Sequence, residues 1–262
     1  MTENKLPILI TIPHCSTFVP ADLRRLMMLR DSQINNMCDP FTDVIFDIPK
    51  AHVVKAKISR LVTDLNRAPD DIESEAKLSK AGVVVSIDID GNPIYKTPPS
   101  MDMVMERVSK YHDTFHDKID ELKRDVKFLI DGHSMRSVGP ATRADAGQER
   151  ADIILGNRDY TTCSRHMTRR IMKFFEDRGF NVRINDPYKG AYLIGYHCSR
   201  KGLPGIQIEV NEKLFMNEKS RRPYKRKIEE LRKTMGLLIK EIAESLENSE
   251  ISSKSVSQRA LF

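Results

Sequence analysis

The stretch KFLIDGHS, residues 127–134, combines an apolar run with polar residues at its end. Its first four residues form a short apolar run, typical of a buried strand, and the run ends at Asp131 and His133. From residue 103 to residue 122, just before it, apolar side chains recur every three or four positions, which indicates an amphipathic helix. A helix that leads into a buried strand is typical of α/β proteins.

Two other short apolar runs also carry polar residues suited to chemistry. The run PILITIP at residues 7–13 is followed by His14, and the run GIQIEV at residues 205–210 contains Glu209. In open α/β sheets, ligands collect at the carboxyl ends of the strands. We therefore expect these two residues and His133 to lie near one edge of the sheet.

Alternating strands and helices predict one α/β domain over residues 1–246. We expect three layers, with a central mixed sheet flanked by helices on both sides. The last helix is predicted from about Pro223 to Leu246, because its apolar residues repeat at intervals of three and four. Residues 247–262 are polar and rich in serine, which predicts a flexible tail.

Composition excludes several classes of protein. Hydrophobic residues make up 40% of the 262 residues and charged residues 31%, which excludes a mainly disordered chain. The sequence has no window of about 18 apolar residues, so no membrane span is expected, and its N-terminus lacks a secretory cleavage site. The four cysteines form no Cys-x-x-Cys pair, so we expect free thiols in a reducing cytoplasm.

Two histidines and a carboxylate at the strand ends could build a catalytic zinc site. Such a site has three protein ligands and leaves one coordination position for water. The alternative is that His14 and His133 are strand-end residues that are hydrogen-bonded to the backbone. The strand pattern alone leaves both interpretations open.

The segment SRLVTDLNR, residues 59–67, holds two arginines, an aspartate and an asparagine. The planar guanidinium fork of arginine matches a carboxylate in bidentate fashion. Asn66 and Arg67 are therefore good candidates for a clamp on the carboxylate of an amino acid. The alternative is a structural ion pair between an arginine and the aspartate in a loop.

Two further groups are weaker candidates. His112 and His116 lie four residues apart on the predicted helix, a spacing that can bind zinc. Each histidine directly follows an apolar residue of the buried face of this helix, so it should lie at the edge of that face. We therefore favour a pocket or structural role for His116. The basic cluster at residues 219–227 could contact nucleic acid, but it borders a glutamate-rich helix, which favours a solvated helix entry.

Taken in order, several stretches resemble the N-formylglutamate amidohydrolase family, which belongs to the wider zinc-carboxypeptidase-like fold. They cover about residues 7–216. The stretches are PHCS at 13–16, DPFTD at 39–43, SRLVTDLNR at 59–67, the helix from Arg107 to His116, DGHSM at 131–135, NDPYKG at 185–190 and QIEV at 207–210. Two departures are Cys15-Ser16 where the family more usually has Ser-Gly, and Lys-Gly-Ala where Lys-Gly-Gly is common.

The resemblance implies one zinc ion per chain, held by His14, His133 and an early carboxylate. Asp39 is the expected third ligand because it matches the first acid of the family's acidic motif. Asp43 is the competitor, since on a helix it would share a face with Asp39 at a spacing of four. A helix N-cap is the alternative role for Asp39. Asp131 could orient an imidazole.

The resemblance also implies roles for the remaining site residues. Glu209 matches the family's catalytic glutamate, and Arg60 is the candidate that assists the oxyanion. Asn66, Arg67 and His116 are expected to bind the substrate.

These expectations amount to a zinc-dependent amidohydrolase that acts on a linear amide of an acidic N-acylamino acid. The leading substrate is N-formyl-L-glutamate, with formate and L-glutamate as products. The alternatives are a carboxypeptidase-like peptidase or another N-acylamino-acid deacylase, and a non-catalytic binding protein that uses the cluster at residues 219–227. We expect a cytoplasmic protein whose partner is the small substrate, with no nucleic acid and no membrane.

Overall fold

A six-stranded mixed sheet runs through the centre of the protein. The computed structural model describes residues 5–72, 82–199 and 201–259, with side chains described up to residue 248 of the last range. The strands are β1 (Ile8–Ile12), β2 (His52–Lys55), β3 (Phe128–Met135), β4 (Ile153–Gly156), β5 (Val182–Ile184) and β6 (Gly205–Asn211). Their order is β2-β1-β3-β6-β4-β5, and neighbouring strands are parallel except for β4 and β6.

Helices account for most of the remaining regular structure. In the described ranges they are α1 (Ala21–Arg24), α2 (Asp31–Asn35), α3 (Thr42–Ile45), α4 (Met101–Arg107), α5 (Thr114–Leu122), α6 (Arg165–Glu176), α7 (Tyr192–His197) and α8 (Lys225–Arg259). A π-helical turn, Val108–Asp113, joins α4 to α5 and interrupts the single helix predicted there. The short strands β7 (Met216–Asn217) and β8 (Arg222–Pro223) form a separate hairpin.

Helices cover both faces of the sheet, which confirms the predicted α/β layers. Successive side chains of a strand point to opposite faces. Ile8 and Ile10 of β1 belong to a core that also contains residues of α6 and α8 and the end of α3. Leu9 points the other way and packs with residues of α5 and α7.

Close packing between α3 and β3 fixes the loop that precedes α3. Gly132 of β3 lies against the ring of Phe46, and a Cβ atom at this glycine would lie 2.6 Å from that ring. The absence of a side chain therefore lets the end of α3 approach the strand. The loop is also tied to the end of β1, because the backbone N–H of Asp39 donates to the carbonyl of His14 over 2.9 Å.

Three parallel strands bring their carboxyl ends to one edge of the sheet. Strands β1 and β6 both pair with β3 in parallel. His14 follows β1, whereas His133 and Glu209 lie directly opposite each other in β3 and β6. The sheet register thus brings all three residues to the same edge.

The last helix extends beyond its predicted end. Helix α8 begins at Lys225, and its backbone stays helical past Leu246 to Arg259. No proline or glycine occurs between those two residues, so the sequence contains no strong signal that would stop the helix. The division into a domain over residues 1–246 and a flexible tail stays a prediction. Within the described ranges, every helix is too short or too polar to cross a membrane.

Candidate active site

Two histidines and one aspartate meet at the carboxyl edge of the sheet. Nδ1 of His133 lies 2.8 Å from Oδ2 of Asp39, and Nδ1 of His14 lies 3.6 Å from the same oxygen. One ligand atom from each of the three residues lies within 4.8 Å of the others. All three side chains are buried. The group has the number and the type of ligands that a catalytic zinc site uses.

A second carboxylate lies behind each of the two histidines. Nε2 of His14 is 2.7 Å from Oδ1 of Asp64, and Nε2 of His133 is 2.9 Å from Oδ2 of Asp131. Both imidazoles therefore direct Nδ1 towards Asp39 and Nε2 towards a supporting acid. Histidines that bind metals almost always hold their second nitrogen in this way. The donor set therefore fits a divalent cation such as Zn²⁺.

The electrostatics of the cluster also favour a cation. Burial alone would lower the pKa of His133, but the carboxylates of Asp131 and Asp39 raise it well above its usual value. Burial would raise the pKa of Asp39, but hydrogen bonds with His133 and His14 hold it below its usual range. Carboxylates outnumber imidazoles here, and a divalent cation would balance their charge.

Asp64 supports His14, and the sequence alone does not predict this contact. Its Oδ2 accepts hydrogen bonds from Nε and Nη2 of Arg60, at 3.2 and 2.5 Å. Burial would raise the pKa of Asp64, but Arg60 and His14 hold it well below its usual value. The structural arginine–aspartate pair considered from the sequence is thus present. No spacing rule could connect Asp64 to a histidine fifty residues earlier in the chain.

Asp131 and Asn66 support His133 from its other side. Oδ1 of Asp131 accepts from Oγ1 of Thr11 at 2.8 Å, and Nδ2 of Asn66 lies 3.3 Å from Asp131 Oδ2 and 3.1 Å from Nε2 of His133. Oδ1 of Asn66 accepts from the backbone N–H of Leu193 at 2.8 Å. Both ends of the Asn66 amide are engaged within the protein. The geometry thus gives Asn66 a supporting role, and because Asn66 also lines the inner cavity, its contact with substrate stays a prediction.

The geometry favours Asp39 over Asp43 as the third ligand. Asp43 is exposed on α3 and is not part of the cluster. The N-cap alternative for Asp39 is not observed either, since Phe41 occupies the cap position of α3 without a side-chain hydrogen bond. The Asp39 carboxylate instead contacts His133 and accepts from the backbone N–H of Ser134 at 3.4 Å.

Glu209 lies in β6 opposite His133 and is buried. Nε2 of Gln207 donates to Oε1 of Glu209 at 2.7 Å, and Oε1 of Gln207 accepts from the backbone N–H of Ala191 at 3.1 Å. Burial raises the pKa of Glu209 to about 8; His133 opposes this rise, and Asp39 adds to it. A carboxyl group that titrates near neutral pH can both accept and release a proton.

The cluster faces a two-part cleft. The inner cavity measures about 160 Å³, and its lining includes Glu209 and the two histidines of the cluster. The outer cavity measures about 510 Å³. Six residues line both cavities: Asp39, Arg60, Arg67, Ser134, Arg143 and Tyr188. Because the two cavities share these walls, they form one cleft, and we call the smaller part, which all three residues of the cluster line, the inner cavity.

Five arginines line the cleft, and three of them have a carboxylate partner; the longest of these contacts joins Arg136 to Asp90 at 3.9 Å. Arg60 is paired with Asp64, and Arg150 makes a bidentate pair with Asp145 at 2.7 and 3.0 Å. Arg67 and Arg143 make no ion pair with any residue in the described part of the chain. An anion that enters the cleft could therefore bind these two guanidiniums.

Arg143 is a cleft residue that the sequence does not single out. It lies in an irregular loop, where no periodicity marks it. The residue as a whole is exposed, but partial desolvation of its guanidinium lowers its pKa, and the positive charges of Arg60, Arg67 and Arg150 lower it further. A guanidinium in this position is stabilised by an anion that enters the cleft.

His116 lies outside the described lining of both cavities. Its Nε2 is 3.0 Å from the carbonyl oxygen of Leu65, and its Nδ1 is 2.7 Å from Nε2 of His197. Both ring nitrogens are engaged within the protein, which favours the structural role over the predicted contact with substrate.

The basic cluster at residues 219–227 leads into α8. Arg226 and Lys227 form exposed ion pairs with Glu230, at 2.9 and 3.0 Å. These contacts agree with the solvated helix entry that the sequence favours.

Comparisons with known proteins point to one family. The family model described as N-formylglutamate amidohydrolase matches residues 6–216. The chain is 26% identical to an N-formylglutamate deformylase from Pseudomonas putida, over 93% of each chain. A crystal structure of N-formylglutamate amidohydrolase from Ralstonia eutropha superimposes with a TM-score of 0.82 at 25% identity and covers 94% of this chain and 96% of that one. A protein from Agrobacterium tumefaciens shares the fold, with a TM-score of 0.66 at 18% identity, covering 97% of this chain and 94% of that one.

Asp39→Asn should weaken zinc binding by about tenfold or more, because it removes a charged oxygen from the ligand set. Asp43→Asn is the matched control, since it changes an exposed acid in the same motif, and it should leave the zinc affinity near that of the wild type. Competition with a chromogenic chelator measures both affinities. The reverse order would identify Asp43 as the ligand.

Proposed function

We propose that this chain, which belongs to the N-formylglutamate amidohydrolase family, hydrolyses N-formyl-L-glutamate with the help of zinc. The products would be formate and L-glutamate. The observation that carries this proposal is the shared cavity. The histidine–aspartate cluster, a buried glutamate and two arginines without a carboxylate partner among the described residues all face it. The similarity to an N-formylglutamate deformylase and to an N-formylglutamate amidohydrolase supports the choice of substrate.

His14, Asp39 and His133 would hold the metal ion. When bound there, zinc supplies Lewis-acid chemistry, which polarises a carbonyl oxygen and makes water more acidic. Asp64 and Asp131 keep both imidazoles in the orientation that presents Nδ1.

Glu209 is the proposed general base. It accepts a proton from the attacking water and later delivers it to the amine nitrogen, as the bond between that nitrogen and the formyl carbon breaks. Gln207 already donates to Oε1, so Oε2 is the oxygen left to accept the proton. Burial raises the pKa of Glu209, which makes its carboxylate a stronger proton acceptor than an ordinary glutamate.

Arg60 is proposed to steady the negative charge on the oxygen of the tetrahedral intermediate. It lines the inner cavity, and the described hydrogen bonds to Asp64 use its Nε and Nη2. A donor fixed in advance costs little reorganisation when the charge develops. The ion pair with Asp64 holds the guanidinium in that position.

Arg67 and Arg143 are proposed to bind the two carboxylates of the substrate. Both line the inner and the outer cavity. Neither pairs with a carboxylate of the described residues, so a dianionic substrate would balance their charge. These contacts hold the formyl group in register beside the cluster, which contributes proximity rather than chemistry.

A second candidate is another N-acylamino-acid deacylase or a carboxypeptidase-like peptidase. The specific observation in its favour is the outer cavity of about 510 Å³, which offers room for a longer acyl group or a peptide. We also propose a reducing, cytoplasmic location, for which the four unpaired cysteines are the support.

Glu209→Gln should retain zinc and substrate affinity, while kcat for N-formyl-L-glutamate falls by about 10²-fold or more. Glutamine has nearly the same size but cannot take up the proton. Wild-type protein should release formate and glutamate in equal amounts, and formate release together with metal analysis is the measurement. Wild-type protein that releases no formate would contradict the proposed activity, and a variant with normal turnover would contradict the role of Glu209.

Arg143→Met should lower kcat/KM for N-formyl-L-glutamate by about tenfold or more, because a hydrogen bond to a charged group is lost. The value for N-formyl-L-methionine, which has a neutral side chain, should change much less. Arg67→Lys should mainly raise KM, since an ammonium cannot reproduce the bidentate fork.

Arg136→Met is the control for these two variants. Arg136 lines the outer cavity but not the inner one. Its variant should behave like the wild type towards both substrates. An unchanged ratio between the two substrates in Arg143→Met would remove Arg143 from the substrate site.

A further inference from the structure

Three histidines form a buried group behind the cleft. His112 lies in the π-helical turn, His116 in α5 and His197 at the end of α7. Their relative exposures are 2%, 6% and 5%, so none of them is a surface residue. The rings of His112 and His116 are 4.2 Å apart between centroids. Turns of π-helix occur frequently at functional sites, and the proposed chemistry uses none of these histidines.

Two of the histidines bind carbonyl oxygens on either side of Asn66. Nε2 of His116 is 3.0 Å from the carbonyl oxygen of Leu65, and Nε2 of His112 is 3.0 Å from that of Arg67. Among the hydrogen bonds of the described residues, no other donor reaches these two oxygens. A buried carbonyl without a partner is costly, so both contacts matter for the conformation of this turn.

The hydrogen-bond directions follow from the acceptors. A carbonyl oxygen only accepts, so both Nε2 atoms must carry a proton. A neutral His116 then has a free lone pair on Nδ1, which accepts from Nε2–H of His197 at 2.7 Å. Nδ1 of this neutral His197 carries no proton, so its approach to Oδ1 of Asp120 at 3.4 Å is not a hydrogen bond, and this nitrogen has no hydrogen-bond partner among the described residues. The contact to Leu65 is therefore supported by His197 at the end of α7.

The turn between these two contacts carries three groups that serve the proposed site. Asp64 contacts His14, Asn66 contacts His133, and Arg67 lines the cleft. The backbone N–H of Asn66 also donates to Oδ1 of Asp64 at 3.0 Å, so the conformation of the turn sets both contacts to the histidine ligands.

We propose that His112 and His116 are positioning residues that hold the turn at residues 64–67 in its metal-supporting conformation. His116 acts through Leu65 on the supports of the two histidine ligands. His112 acts through the carbonyl of Arg67 on the orientation of that guanidinium. The inference rests on the proposed function, since it assumes a metal ion on His14, Asp39 and His133.

The test compares two amide variants at position 116 in the full-length protein. The amide nitrogen of glutamine in His116→Gln can replace Nε2 as a donor to Leu65, whereas the shorter side chain in His116→Asn cannot reach that far. We expect His116→Asn to weaken zinc binding by about tenfold, as is typical for the loss of a group that supports a ligand, and His116→Gln to retain most of the affinity. Chelator competition measures the affinity, and the thermal unfolding midpoint is recorded alongside.

The same pair at position 112 should separate the two contacts. His112→Asn should raise KM for N-formyl-L-glutamate with little change in zinc affinity, and His112→Gln should stay near the wild type. His166→Leu is the control, because His166 is exposed on α6, and it should change neither quantity. A larger effect of His112→Asn on zinc affinity than on KM would overturn the assigned division of roles.

Equal zinc affinities for His116→Asn, His116→Gln and the wild type would overturn the inference, even if the unfolding midpoints differ. Such a result would make His116 a purely structural residue. If the wild-type protein binds zinc and releases formate, but the two variants do not differ in zinc affinity, only this inference is overturned. Wild-type protein that binds no zinc would overturn the proposed function and this inference together.

Discussion

The contact of two buried imidazoles with carboxylates on both sides is the interaction on which the rest of the site depends. His14 lies between Asp39 and Asp64, and His133 lies between Asp39 and Asp131. Buried carboxylates need compensation by positive charge or by hydrogen bonds. The two imidazoles that lie between the acids supply part of this compensation. A divalent cation bound by the three ligand atoms of His14, Asp39 and His133 would supply the rest.

The fold serves this arrangement by combining a rigid edge with an irregular turn. Parallel pairing of β1, β3 and β6 places His14, His133 and Glu209 at one edge of the sheet. The turn at residues 64–67 lies above that edge and supplies Asp64 and Asn66 as supports. Because this turn has no strand or helix of its own, its backbone is held by hydrogen bonds from side chains of neighbouring helices.

The sequence predicts the parts of the molecule that have local periodicity or match family motifs. The central strands, the flanking helices and the group of His14, Asp39 and His133 belong to this class. The long-range partners could not be predicted, because the contact of Asp64 with His14 and the place of Arg143 in the cleft depend on how loops fold back. The same limit applies to the hydrogen bonds that Asn66 and His116 make, because their partners lie far away in the sequence.

The central claim is that the cluster holds zinc in an active amidohydrolase. The most direct measurement is anomalous diffraction on both sides of the zinc absorption edge, from crystals of protein that releases formate from N-formyl-L-glutamate. The account predicts one anomalous peak per chain, within bonding distance of His14, Asp39 and His133. A peak at other residues, or active protein with no peak at this cluster, would contradict it.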